Sequence, residues 1–91
     1  MPTVKIPPVL RSYTSDEAEV VVEGETIGAV LEALTGVYPE VKEQLFSPEG
    51  DLSRYVNVYL NDEDVRVLDG VETATGSDDT VVILPAMAGG N

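Results

Sequence analysis

The chain has 91 residues, 43% of them hydrophobic, and sets five Lys and Arg against 17 Asp and Glu for a net charge of −12. That length supports one domain with one modest core, and the charge argues against nucleic acid and anionic membranes, whose phosphates require clustered cations. With no His and no Cys, disulfides, Cys/His zinc sites, thiolate chemistry and imidazole acid–base catalysis are excluded. The remaining Ser, Thr, Lys and Tyr lack an obvious activating base, so a self-contained enzyme is not expected. No apolar run approaches the roughly 20 residues that cross a bilayer. The opening MPTVKIPPVL lacks the basic-then-apolar layout of a secretion signal, and a cytoplasmic protein is expected. The acidity serves solubility on one reading and encounter with a basic protein groove on another.

Thr3-Val4-Lys5-Ile6 alternates polar and apolar residues, which predicts a strand that Pro7-Pro8 bends or ends. Val9 and Leu10 are candidates to resume it, and SYTSDEA reads as a turn. Glu19 to Glu23 is a second strand closed by Gly24, so the chain opens on a hairpin. In TIGAVLEALTGVY the apolar residues Ile27, Val30, Leu31, Leu34 and Tyr38 fall on one helical stripe that must face a sheet. Thr26 is a suitable N-cap, and Gly36 with Pro39 ends the helix near Gly36–Tyr38. PEVKEQLF restarts as a short helix with Pro39 in its first turn and Val41 and Leu45 on one side.

Beyond the loop SPEGDLSR, the segment RYVNVYLN alternates, with Val56, Val58 and Leu60 on one face and Tyr55, Asn57 and Tyr59 on the other. Asn61 to Asp64 turns the chain, Val65-Arg66-Val67 is expected to return as a short strand, and Asp69-Gly70 turns again. The last strand runs from Thr80 to Leu84, and its continuous apolar character predicts a central position buried on both sides. The order is β-β-α-(short helix)-β-β-β: an α+β domain with a mixed four- to five-stranded sheet and one main helix packed on one face. Parallel pairing of the last strand with the first would make it a β-grasp, although the pattern alone does not give the strand order.

Among possible sites, Asn61-Asp62-Glu63-Asp64 fails as a calcium loop, because the sixth position is Arg66 where a Gly is needed. GETIGA and GSDDT lack the glycine spacing and the Lys of a phosphate loop. Tyr55 and Tyr59 read either as an ordinary half-covered sheet surface or as part of a patch where a partner docks. The ending ILPAMAGGN is more distinctive. A frayed terminus is the default for such residues, yet this one leaves a strand through rigid Pro85. Ala86 to Gly90 would extend about 17 Å, and Gly89 and Gly90, without Cβ atoms, fit a channel too narrow for other residues.

VNVYLNDEDVR followed by VVILPAMAGG resembles the ubiquitin-like sulfur carriers of the MoaD/ThiS family, in particular those of actinobacterial cysteine biosynthesis. The resemblance covers nearly the whole chain and is most specific at Tyr55 to Arg66 and Thr80 to Gly90. It implies a β-grasp (ubiquitin-like) domain over residues 1–85 and a flexible tail over 86–91. In such carriers an E1-like adenylyltransferase/sulfurtransferase uses ATP to adenylate the terminal Gly carboxylate, which becomes a thiocarboxylate. Carried over, Gly90 bears the sulfur, Gly89 and Ala88 thread into the enzyme, and Leu84, Met87 and Tyr59 are candidate docking contacts.

The implied partners are that enzyme, a pyridoxal-phosphate cysteine synthase and a metalloprotease for tail processing or cysteine release. The carrier itself binds no cofactor and no metal. One departure stands out: Asn91 follows the Gly pair, and while it is attached Gly90 has no free carboxylate. Asn91 is then either trimmed from a precursor or not native. The alternatives within the same chemistry are the small subunit of molybdopterin synthase and the thiamine sulfur carrier. From other classes come a ubiquitin-like protein modifier and a passive interaction domain.

Overall fold

The computed structural model describes residues 1–53 and 55–85. Among the described residues there are five strands and two α-helices: β1 (Thr3–Lys5), β2 (Glu19–Val21), α1 (Ile27–Val37), α2 (Lys42–Leu45), β3 (Val56–Leu60), β4 (Glu63–Asp64) and β5 (Thr80–Pro85). They form one mixed sheet in the order β2-β1-β5-β3-β4. β5 lies in the centre, parallel to β1 and antiparallel to β3. This is the β-grasp, an opening hairpin and a closing strand around one helix.

The α1 stripe does what its spacing requires. Ile27, Val30, Leu31 and Leu34 are all fully buried, and burying each apolar side chain of this size contributes about 1.5–3 kcal/mol. They meet Val4, Val56, Val58, Val81 and Ile83 from the covered face of the sheet, while Val41 and Leu45 close one end of the core. Thr26 caps the helix by accepting from the Ala29 N–H at 3.1 Å. The Tyr38 N–H donates to the Leu34 carbonyl at 2.8 Å at the other end, just before Pro39. No helix among the described residues is long and apolar enough to cross a membrane.

Several local expectations are corrected. Val9 and Leu10 do not resume a strand; they lie in a 3-10 turn, Pro8–Tyr13. Pro7 and Pro8 have no N–H to give a ladder, whereas Pro at the first helical position is well placed to start a turn. The second strand stops at Val21, two residues before the expected Glu23. Val65-Arg66-Val67 is likewise a 3-10 turn, and the returning strand is Glu63–Asp64. Asn61 (φ 50) and Asp62 (φ 78) both adopt the left-handed region, so a two-residue hairpin loop pairs Leu60 directly with Glu63. The Asp64 carboxylate then accepts from the Arg66 N–H at 2.8 Å, diverting the backbone from the ladder.

The centre of the sheet holds β5 as expected, but it is not buried on both sides. Val81 and Ile83 are fully buried, Val82 is half-buried and Leu84 is 42% exposed. With α1 covering one face, the apolar run leaves apolar side chains on the open face as well.

Candidate functional site

The open face is assembled by register. Tyr59 of β3 stands opposite Val82 on one side and Asp64 on the other, and Val82 stands opposite Lys5, which faces Glu19. One row thus crosses all five strands as Glu19, Lys5, Val82, Tyr59 and Asp64. A second row joins Asn57 to Leu84, beside the end of β5. Val21 of the edge strand is 56% exposed. The result is an apolar centre of Val82, Tyr59 and Leu84 with charged residues at its margins. That arrangement suits recognition of another protein surface, an apolar core with a polar rim.

Of the expected site residues within the described structure, Leu84 and Tyr59 share this face. Tyr55 precedes β3 and lines a shallow cavity of about 470 Å³ together with Phe46, Leu52 and Ser53; the two tyrosines expected on one strand face therefore have different surroundings. Met87, Ala88, Gly89, Gly90 and Asn91 lie outside the described residues. Pro85 pairs with Val56, which places the strand's last described residue at the same end of the sheet as Leu84. Its missing N–H is tolerated because the β1 ladder has already ended at Lys5 opposite Val82.

Two residues at this end escaped the sequence reading. Asn57, part of the β3 alternation, accepts from Arg66 Nη1 at 2.7 Å. Arg66 was hidden because an expected strand gave it no reason to turn back toward Asn57. At the opposite end, Asn61 ties β3 to the start of β5. Its N–H donates to the Thr80 carbonyl at 3.0 Å, its Oδ1 accepts from the Thr80 N–H at 2.9 Å, and its Nδ2 donates to Asp79 Oδ1 at 2.8 Å. The Gly76 N–H at 2.7 Å and the Asn61 amide hold the Asp79 carboxyl below its ordinary value, a small desolvation effect opposing them. Among the described residues no group of three or more Asp and Glu could hold a metal ion. Every buried side-chain polar atom described has a partner.

The ThiS family model matches residues 4–90. The chain belongs to the ThiS family. Within it, the chain is 47% identical to the sulfur carrier protein CysO of Mycobacterium tuberculosis over 90 residues, 97% of each chain. The crystal structure of M. tuberculosis CysO superposes with a TM-score of 0.89 at 44% identity, covering 96% of this chain and all of the other. A chain of the BexX/CysO complex of Amycolatopsis orientalis gives a TM-score of 0.90 at 39% identity, over 98% of this chain and 99% of that one. Small archaeal modifier protein 1 of Haloferax volcanii is 34% identical over 70 residues, 76% of each chain. These likenesses bear out the β-grasp fold and the sulfur-carrier family membership.

Proposed function

We propose that this ThiS-family protein carries sulfur as a C-terminal thiocarboxylate on Gly90 and delivers it to cysteine biosynthesis. The observation that carries the reading is the 47% identity to a sulfur carrier across 97% of the chain, joined to an apolar open face at the end of β5 from which the Gly-Gly sequence continues. An E1-like enzyme transfers adenylate from ATP to the Gly90 carboxylate, releasing pyrophosphate. Sulfur from an enzyme persulfide displaces AMP, and reduction of the resulting acyl disulfide by a thiol frees the thiocarboxylate. The chain acts as co-substrate and needs no catalytic group or cofactor of its own, which accords with a sequence lacking His and Cys.

Gly89 and Ala88 thread into the activating enzyme, where a missing or small side chain permits close approach. Leu84, Tyr59 and Met87 dock on the partner. A pyridoxal-phosphate cysteine synthase consumes the thiocarboxylate, and a metalloprotease frees the new cysteine. The BexX/CysO complex supports a protein partner for this fold. Any residue beyond Gly90 must first be removed, since a Gly90 carbonyl held in an amide offers no carboxylate.

Reconstitution with purified E1-like enzyme, ATP and a persulfide donor tests the proposal. The form ending at Gly90 should acquire one sulfur, and the form retaining Asn91 should not until it is proteolysed. Equal activation of both forms would refute the trimming step, and no sulfur on either would refute the carrier reading. The likeness to small archaeal modifier protein 1 favours a second reading, conjugation to lysines of other proteins. Conjugate ladders in cells that vanish when Gly90 is deleted would establish it.

A further inference from the structure

The β5 strand loses neighbours toward its end. Its register with β1 stops at Lys5 opposite Val82, so among the described residues Leu84 and Pro85 are paired by β3 alone, at Asn57 and Val56. That part of β3 has no strand on its outer side among the described residues, because β4 reaches only Tyr59 and Leu60. Arg66 occupies the missing place. Its Nη1 donates to Asn57 Oδ1 at 2.7 Å, and its Nη2 donates to the Val56 carbonyl at 3.0 Å and to the Ser53 carbonyl at 3.4 Å. The Asp64 carboxylate fixes the base of the side chain by accepting from the Arg66 N–H at 2.8 Å.

The ladder explains why a guanidinium fits there. Counting by twos from the Asn61 N–H bond to the Thr80 carbonyl, Asn57 and Leu84 form a hydrogen-bonded pair in the antiparallel alternation. The Val56 carbonyl therefore points away from β5, toward the Arg66 fork. A planar fork reaches the Val56 backbone and the Asn57 side chain together, which the single ammonium of a lysine does not. Because the Arg66 side chain is exposed, its loss should move global stability little, while the last β3–β5 pairs, which have few neighbours, should open more often.

We infer that Arg66 is a positioning residue: it latches the first residues of β3, and through them keeps the last pairs of β5, Leu84 and Pro85, in register. Its consequence for activation rests on the sulfur-carrier reading; the latch itself does not. Loss of the latch lowers the fraction of encounters in which Gly90 reaches the adenylation site, which appears in kcat, while docking of the open face and hence KM stay as they were.

Arg66→Gln, Arg66→Lys and Asn57→Asp variants of the form ending at Gly90 are compared with the parent by amide hydrogen exchange and by ATP–pyrophosphate exchange with the E1-like enzyme. The Leu84 amide should exchange about tenfold faster in Arg66→Gln, the effect of losing a charge-assisted hydrogen bond, while the fully buried centre at Val81 keeps its protection. Arg66→Lys should behave like Arg66→Gln, with kcat lowered and KM unchanged. Asn57→Asp, which leaves a carboxylate for Arg66, should keep both readouts near the parent. Unchanged exchange at Leu84 in Arg66→Gln would overturn the latch. Full activity in Arg66→Lys would overturn the fork in favour of simple charge, and faster exchange with unaltered kcat would overturn the positioning role. If exchange accelerates as expected while the parent itself is never activated, the latch stands and the carrier reading falls.

Discussion

Replacing Gly24 by alanine should destabilise the fold, and the structure gives the size of the effect. A Cβ at Gly24 would lie 2.6 Å from the Val30 backbone N, 2.7 Å from Val30 Cγ2 and 2.9 Å from Val30 Cα. Neither side has room to withdraw. The Val30 side chain is fully buried, and its N–H donates to the Thr26 carbonyl at 2.9 Å. The Gly24 carbonyl accepts from Thr75 Oγ1 at 2.9 Å, and the Glu25 carbonyl from the Thr75 N–H at 2.9 Å. The methyl must therefore push α1 off the sheet, an overpacking that costs about 1–3 kcal/mol. Restriction of the unfolded chain recovers about 0.4–1 kcal/mol of this.

For a domain of this size each kcal/mol shifts Tm by about 4–8 °C, so a central net cost of about 1.3 kcal/mol should make Gly24→Ala melt about 5–10 °C lower in circular dichroism. Gly36→Ala is the internal control. Gly36 lies within α1, and a Cβ there meets nothing within 4 Å; alanine should raise stability by about 0.5–1 kcal/mol. A Gly24→Ala protein melting at or above the parent would refute the packing at this junction.

Thr26→Ala removes the oxygen that accepts from the Ala29 N–H and should cost about 1 kcal/mol, read from the urea midpoint at constant slope. Asp79 should make the protein acid-sensitive. Its folded carboxyl ionises at lower pH than its unfolded one, so the unfolded chain takes up the proton first as pH falls. The stability it contributes is complete above the ordinary carboxyl value and is lost as pH drops through the lowered folded value. Accordingly, Asp79→Ala should be less stable than the parent near neutrality, with the gap closing in strongly acidic buffer; a gap independent of pH would contradict the ionic origin. Leu84→Arg, at a 42% exposed position, should leave Tm within a few degrees, about the ±0.5 kcal/mol of an ordinary surface change. It should raise the KM of the activating enzyme for the carrier, and an unaltered KM would remove Leu84 from the docking face.

Much of the fold was legible because its strongest signals are periodic. Ile27, Val30, Leu31 and Leu34 could share one face only as a helix, and Val56, Val58 and Leu60 only as a strand. The failures lie where side-chain and backbone hydrogen bonding outweighs hydropathy. Val65-Arg66-Val67 has strand-like residues, yet the left-handed Asn61-Asp62 pair had already used the return turn and Asp64 captured the next N–H. In β5, continuous hydrophobicity marks the central strand correctly but does not mean two covered faces. Val82 and Leu84 instead keep an apolar surface open, the face proposed above for docking. Tyr59 and Leu84 could be placed on the open face by counting in twos. The Arg66 contact with Asn57 could not, because it depends on how the chain turns between them. Gly89 and Gly90 were marked by composition and by family resemblance, and the described structure bears only on the strand that leads to them.

The most direct test of the account is the intact mass of the protein recovered from its native cells under demand for cysteine. The account predicts a chain ending at Gly90 in which one terminal oxygen has been replaced by sulfur. A chain that under the same demand keeps Gly90 in an amide bond to Asn91 and carries no sulfur would contradict it.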